Sequence, residues 1–403
     1  MGKSLSEYFS GVGVKRLSLV EVDKAISNQH ELNGITPFKT IFGTERIEFK
    51  TKFIFLSDNE DHLRESDGHL TWYDSREDHV TRSEFRLYYS DNQVIPLSSS
   101  GDLIVVGRLS NNTALVVVAE KGSTIETQLL WLFGFEEVEN RFLVKDFSKN
   151  HADIGYAGRY IFSYLGIDVE ETAPDFLDEI IRRFGETFPS TKEFSEFARS
   201  TVIDVSPVEE PDRTLIRWLE REELLFKTLE KQIVAKKLNL GFGESKFDVD
   251  DFISFSLSVQ NRRKSRAGHS FENNLAVIFQ NNNIDFSKGA VTERNNKPDF
   301  LFPGKKQYHS GAFDAILLTM LGVKTTAKDR WRQILSEAER IPNKHLITLE
   351  PAISKNQTEE MIANNVQLVV PESLRGTYQP AQRGGILSLA DFINVVRTKQ
   401  RIA

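Results

Sequence analysis

Three runs, Lys297-Pro298-Asp299-Phe300-Leu301-Phe302, Val323-Lys324-Thr325-Thr326 and Asp329-Arg330-Trp331-Arg332, fall close together near the middle of the second half of a 403-residue chain. Asp299 is followed by an apolar triplet, and Lys324 is preceded by the apolar run from Ala315 to Val323, so both charges are expected at the ends of buried strands. A charge in such a place needs a partner or a task. An acid, a lysine and a second acid converging at strand ends can hold Mg²⁺ between the carboxylates while the lysine faces a phosphate and an attacking water. That is the chemistry of phosphodiester hydrolysis. The usual spacing for such a site places an acid two residues before the lysine, where this chain has Gly322. The second acid must then come from the helical pattern expected over Asp329 to Ile341, which offers Glu337 and Glu339. Both flank its apolar stripe of Trp331, Ile334, Leu335, Ala338 and Ile341, and periodicity does not choose between them. The bland alternative makes Asp299 a turn cap, Lys324 a lysine snorkelling from its strand and Glu337 a solvated helix residue.

Charge is distributed unevenly around these runs. The chain carries a net charge of −7, yet from Phe255 to His345 there are fifteen Lys or Arg against eight Asp or Glu, a local +7 that leaves −14 elsewhere. A basic block in an acidic protein binds a polyanion locally without binding it everywhere. Hydrophobic residues at 39% and charged residues at 27% are globular values, and 403 residues suggest two or three domains. The complete lack of cysteine excludes disulfides, thiolate zinc sites and thiol catalysis, and suits a reducing cytoplasm. Without a long apolar run or a hydrophobic signal region, a cytoplasmic protein with no membrane partner is expected.

The first 150 residues read as β structure. Ile47 to Phe55, Leu70 to Tyr73, Phe85 to Tyr89, Asp102 to Leu109 and Thr113 to Val118 are short alternating or aromatic runs divided by turn residues, a pattern that fits a β-barrel. Within them, Arg82, Glu84 and Arg86 alternate and would share one face of a strand, suited to reading guanine edges and a cytosine amine or, more blandly, forming an ion-pair ladder. Residues 151–211 read as connecting helices and a linker containing Pro207 and Pro211. A long amphipathic helix over Thr214 to Leu238, a helix over Asp248 to Val259, a basic loop from Arg262 to His269 and a helix from Ser270 carrying Glu272 follow. Strands and helices then alternate to the end, which predicts an α/β domain with a mixed sheet over 212–403.

Longer motifs add a resemblance. Ser258 to Gly268 (Ser-Val-Gln-Asn-Arg-Arg-Lys-Ser-Arg-Ala-Gly), Lys297 to Pro303, Val323 to Leu335 and Gln367 to Leu374 (Gln-Leu-Val-Val-Pro-Glu-Ser-Leu) resemble, in order, the catalytic domain of EcoRII-type restriction endonucleases. Residues 10–135 look like that family's N-terminal effector domain, a B3-like pseudobarrel. The resemblance implies a restriction-endonuclease-like fold of the PD-(D/E)XK type over 212–403, with Asp299, Lys324 and Glu337 as catalytic residues, Asp299 and Glu337 as Mg²⁺ ligands, and Glu272 and Tyr308 as further site residues. It favours Glu337 over Glu339. It places Lys328, Asp329 and Arg330 at a segment reading paired CC and GG dinucleotides, with Arg262, Arg263 and Trp218 as further DNA-contacting candidates. Trp218 would stack on a flipped base or, equally, pack in its helix core. Arg82, Glu84, Arg86 and His30 fall on effector-DNA contacts, while Ile35, Val80 and Phe85 depart from the pattern there. The implied protein is a homodimeric type II enzyme acting on double-stranded DNA, paired with a DNA methyltransferase of the same specificity and controlled by a second DNA copy. A structure- or damage-specific repair nuclease and a non-catalytic B3-like regulator are the alternatives.

Overall fold

The structure, a computed structural model, describes residues 3–22, 30–79, 81–149, 153–169, 172–244, 246–328 and 330–402. It divides into two compact units: Met1–Val169 together with Pro351–Gln357, and Glu170–Glu350 together with Thr358–Ala403. The expected connecting segment, 151–211, is thus shared between them.

The first unit is built on β1 (Phe9–Arg16), β2 (Glu31–Asn33), β3 (Ile47–Leu56), β4 (Arg64–Asp74), β5 (Phe85–Tyr89), β6 (Leu103–Leu109), β7 (Ala114–Ala119) and β8 (Leu143–Asp146). Among the described residues they form one sheet in the order β2-β5-β4-β3-β7-β6-β1-β8, antiparallel except where β3 runs parallel to β7. Alternation places Val105 and Val117 on the face covered by α1 (Thr124–Phe133) and α2 (Gly155–Tyr164), and Ile104, Val106, Val116 and Val118 on the other. That second face closes around aromatic rings. Phe38 lies 6.0 Å from Trp72 on β4 and 4.8 Å from Phe142 beside β8. Those strands stand five places apart, roughly 24 Å in a flat sheet, so the sheet curls on itself. Gly13 permits this, because a Cβ there would meet Phe38 Cζ at 2.2 Å. The expected barrel is therefore a curled mixed sheet. Three of its strands, β1, β2 and β8, were not legible, being rich in glycine and charge or too short to show a period.

In the second unit, α3 (Leu177–Phe184), α4 (Thr191–Ser200) and α5 (Pro211–Leu240) share a core of Ile180, Phe194, Phe197, Leu225, Phe226 and Leu229. The next helix, α6, runs unbroken over Val249–Asn281. This corrects the expected loop at Arg262 to His269: Arg263 Nε reaches both carboxylate oxygens of Glu230 at 2.8 Å, and Arg266 reaches Glu222 at 3.5 Å. Both acids are buried on α5, so the basic run is neutralised by a neighbouring helix and keeps its own helical bonding.

The sheet of this unit joins β9 (Ser287–Lys288), β10 (Phe300–Phe302), β11 (Thr319–Lys324), β12 (Lys344–Thr348) and β13 (Val366–Val369) in the order β13-β12-β11-β10-β9. β11, β12 and β13 run parallel and β10 lies antiparallel to both neighbours, the mixed sheet that was expected. Met320 and Leu321 are fully buried in β11, each contributing about 1.5–3 kcal/mol of transfer free energy. The final helix, α7, spans Leu389–Ile402. The helix expected over Asp329 to Ile341 is instead a 3₁₀ segment, Arg330–Ser336. No helix among the described residues is long and apolar enough to cross a membrane.

Candidate active site

Antiparallel pairing of Phe300 with Leu321 sets Asp299 opposite Gly322, at the end of the sheet where β11 finishes in Lys324. The Val323 backbone N–H donates to Asp299 Oδ2 at 2.7 Å, and Lys324 Nζ stands 3.6 Å from the same oxygen. Both side chains are about one-fifth exposed, at 20% and 19%. The Asp299 carbonyl accepts from Gly289 N at 3.0 Å, which ties the acid's backbone to the neighbouring chain.

The second acid arrives by way of the 3₁₀ segment. With three residues per turn, Trp331, Ile334 and position 337 stack on one side, and Glu337 N continues the pattern by donating to Ile334 O at 3.1 Å. Ile334 occupies the space a side chain at position 322 would need: a Cβ on Gly322 would lie 2.6 Å from Ile334 Cγ2. The glycine that displaces the usual acid therefore makes room for the segment that delivers another. Glu339 points elsewhere and pairs with Arg294 at 3.0 Å.

Burial pushes the Glu337 carboxyl up to about 7, with Asp299 adding to the effect and Lys324 and Lys344 opposing it. Its Oε2 is buried and has no hydrogen-bond partner. No group of three or more acids, histidines or cysteines suited to a metal gathers among the described residues. The pair nevertheless fits Mg²⁺, a hard cation that commonly uses one or two carboxylates with water and substrate phosphate filling its remaining positions. Glu337 Oε2 without a hydrogen-bond partner, in electrostatic reach of Asp299, is compatible with that donor set.

The other expected residues take varied places. Glu272, on α6, pairs with Lys288 at 3.1 Å, and Lys288 stands in register with Phe300, next to Asp299. Tyr308 is buried behind the Glu337 turn: its hydroxyl donates to Glu293 Oε2 at 2.5 Å, and burial raises its pKa. Lys328 is buried with its backbone N–H on Glu350, Arg330 is exposed, and Asp329 lies outside the described residues. Arg262 is exposed with its guanidinium 4.7 Å from the Phe188 ring, and Trp218 is 6% exposed, 5.8 Å from Arg199. In the first unit, Arg86 bridges Glu31 at 2.6 Å and Glu84 at 2.8 Å, and Arg76 reaches Glu84 at 2.7 Å. Only Arg86 of the alternating triplet is on β5, while Arg82 is exposed ahead of it. His30 stacks on Tyr89 at 5.4 Å and stands 3.5 Å from Asp91.

Two buried charges bordering this site were missed. Lys344, at the start of β12, donates to the carbonyls of Glu337, Ala338 and Ile341. Glu350, just past the end of β12, accepts from Ala327 N at 2.6 Å and Lys328 N at 3.0 Å. Their flanking of the apolar run His345 to Leu349 was visible, but the partners lie in a different element.

Comparison with known proteins bears on this site. Residues 226–393 match the family described as EcoRII C terminal. The EcoRII C-terminal match takes in Asp299, Lys324, Glu337, Glu272 and Tyr308, together with the segment around Lys328 and Arg330. The chain is 43% identical over 207 residues to the type II restriction enzyme EcoRII of Escherichia coli, an alignment covering 51% of this chain and 50% of that protein. The chain thus spans about half the length of this curated relative. Similar solved structures include metal-depleted Ecl18kI in complex with uncleaved, modified DNA, at TM-score 0.47 and 19% identity over 58% of this chain and 86% of that one. Another is a restriction endonuclease PspGI–substrate DNA complex, at TM-score 0.44 and 17% identity over 54% of this chain and 95% of that one.

Proposed function

We propose that this protein is a Mg²⁺-dependent type II restriction endonuclease that hydrolyses double-stranded DNA at a palindrome containing CC and GG. The observation that carries this reading is the pairing of Lys324 with Asp299 beside Glu337, whose buried oxygen lacks a partner, within the residues matched to the EcoRII C-terminal family. Asp299 and Glu337 would hold the cation. Mg²⁺ held there would supply Lewis-acid chemistry at the scissile phosphate. Lys324 places an ammonium where negative charge develops as the water oxygen bonds to phosphorus and the bond to the leaving sugar oxygen breaks. Exposed Arg330 would supply a base-edge contact worth about 1–3 kcal/mol of discrimination, and Lys328, buried here, and Asp329 would add theirs once the segment meets DNA.

One metal site per chain cuts one strand, so a two-fold homodimer is the unit that cuts both strands of a palindrome. The first unit is read as a B3-like effector domain in which His30, Arg82, Glu84 and Arg86 contact a second copy of the target. A DNA methyltransferase of the same specificity is the expected companion. The test is incubation with plasmids of known sequence and Mg²⁺, followed by sequencing of the ends. Defined ends at one palindrome support the reading, and Lys324→Ala or Asp299→Ala should abolish cleavage while specific DNA binding remains. Single-site DNA should be cut slowly and stimulated by added cognate duplex, a stimulation that Arg82→Ala weakens. Random ends, or cutting by either alanine variant, would refute it.

A further inference from the structure

The turn that delivers Glu337 is held in an unfavourable shape. Ala338 has φ +49°, a left-handed conformation that costs an alanine roughly 1 kcal/mol. Such a backbone persists only where its surroundings over-determine it. The N–H groups of this turn are held by Thr292 Oγ1 on Ala338 at 3.4 Å, Glu293 Oε2 on Glu339 at 3.2 Å and the Tyr308 hydroxyl on Arg340 at 3.4 Å. Its carbonyls depend on Lys344. The ammonium has three protons, and they go to Glu337 O, Ala338 O at 3.2 Å and Ile341 O at 3.1 Å. Lys344 is 7% exposed and its own N–H donates to Asn365 O at 2.9 Å, so the clamp, a residue of β12, is tied to the chain entering β13. Because Glu337 Oε2 has no partner of its own, the direction of this carboxyl is set through the peptide from which it extends.

We propose that Lys344 is a positioning residue for the metal ligand Glu337: by fixing the carbonyls of Glu337, Ala338 and Ile341, it aims the acid at the cation shared with Asp299. The inference rests on the nuclease reading of that site. Charge and position predict opposite signs. Removing a cation from beside Glu337 should tighten metal binding if only charge mattered, whereas releasing the turn should weaken it.

The experiment compares the full-length wild type with Lys344→Met, which keeps the length without donors, and Lys344→Gln, which keeps donors without charge. Mn²⁺ binding to the protein–DNA complex is followed by loss of the free-ion paramagnetic resonance signal, alongside the Mg²⁺ dependence of cleavage and thermal unfolding. Lys344→Met is expected to bind Mn²⁺ about 10- to 100-fold more weakly, the usual effect of removing a group that orients a metal ligand. Its half-saturating Mg²⁺ should rise in parallel, metal-free specific DNA binding should be unchanged, and Lys344→Gln should fall between it and the wild type. Mn²⁺ affinity equal to or above wild type in folded Lys344→Met overturns the proposal. If that variant does not fold, unchanged affinity in Lys344→Gln overturns it, and if neither folds the lysine serves folding instead of aiming Glu337. A wild type that neither binds Mn²⁺ nor cleaves defeats the nuclease reading itself, a result distinct from the others.

Discussion

Glu337→Gln should cost the protein its cleavage and make it more stable. The folded carboxyl is pushed from the usual 4.5 up to about 7, chiefly by burial, so the native state holds this proton more tightly than the unfolded chain. Below pH 4.5 both states are protonated and nothing is lost. As pH rises through the window from 4.5 to 7, the unfolded chain ionises first and stability falls, and above 7 the full penalty applies. At 1.36 kcal/mol per unit that penalty is about 3 kcal/mol at pH 8 and under about 1 kcal/mol at pH 5. Gln keeps the shape without the charge. For a unit of this size the gain corresponds to roughly 6–12 °C in melting temperature. The assay is thermal unfolding of both proteins in EDTA from pH 5 to 8.5, with the variant's advantage growing as pH rises. Added Mg²⁺ should stabilise the wild type more than the variant, because it binds the native carboxylates. A variant no more stable than wild type at pH 8, or one whose advantage is independent of pH, would refute the idea that burial outweighs the nearby lysines at this carboxyl.

Gly322→Val should destabilise the second unit by about 1–3 kcal/mol, because its Cβ would meet Ile334 Cγ2 at 2.6 Å in a buried, β-branched neighbour. Chemical denaturation gives the value, and cleavage should fall further than stability alone explains, since the displaced segment carries Glu337. Glu350→Gln should weaken the hold on the backbone of Ala327 and Lys328 and cost about 1–2 kcal/mol. Its signature is relaxed discrimination between the cognate duplex and one-base variants at unaltered metal dependence, read by competitive cleavage.

Local pattern was enough to place β10 and β11 and to put Asp299 and Lys324 at their ends, because a charge closing an apolar run declares itself within a few residues. The alternating runs in the first unit likewise marked β3, β5, β6 and β7, although only the contact of Phe38 with both Trp72 and Phe142 reveals that their sheet curls. Glu337 and Glu339 were equivalent under a period of 3.6. Tertiary structure separates them by winding the segment at three residues per turn against Gly322, which aligns Trp331, Ile334 and Glu337 and leaves Glu339 to Arg294. The continuity of α6 through Arg262 to His269 depends in the same way on Glu222 and Glu230, which lie on α5. Lys344 and Glu350 were legible as charges beside a strand, but their tasks were not. The groups they hold belong to the segment crossing from β11 to β12, and periodicity describes the faces of one element while saying nothing of which element will lie against it.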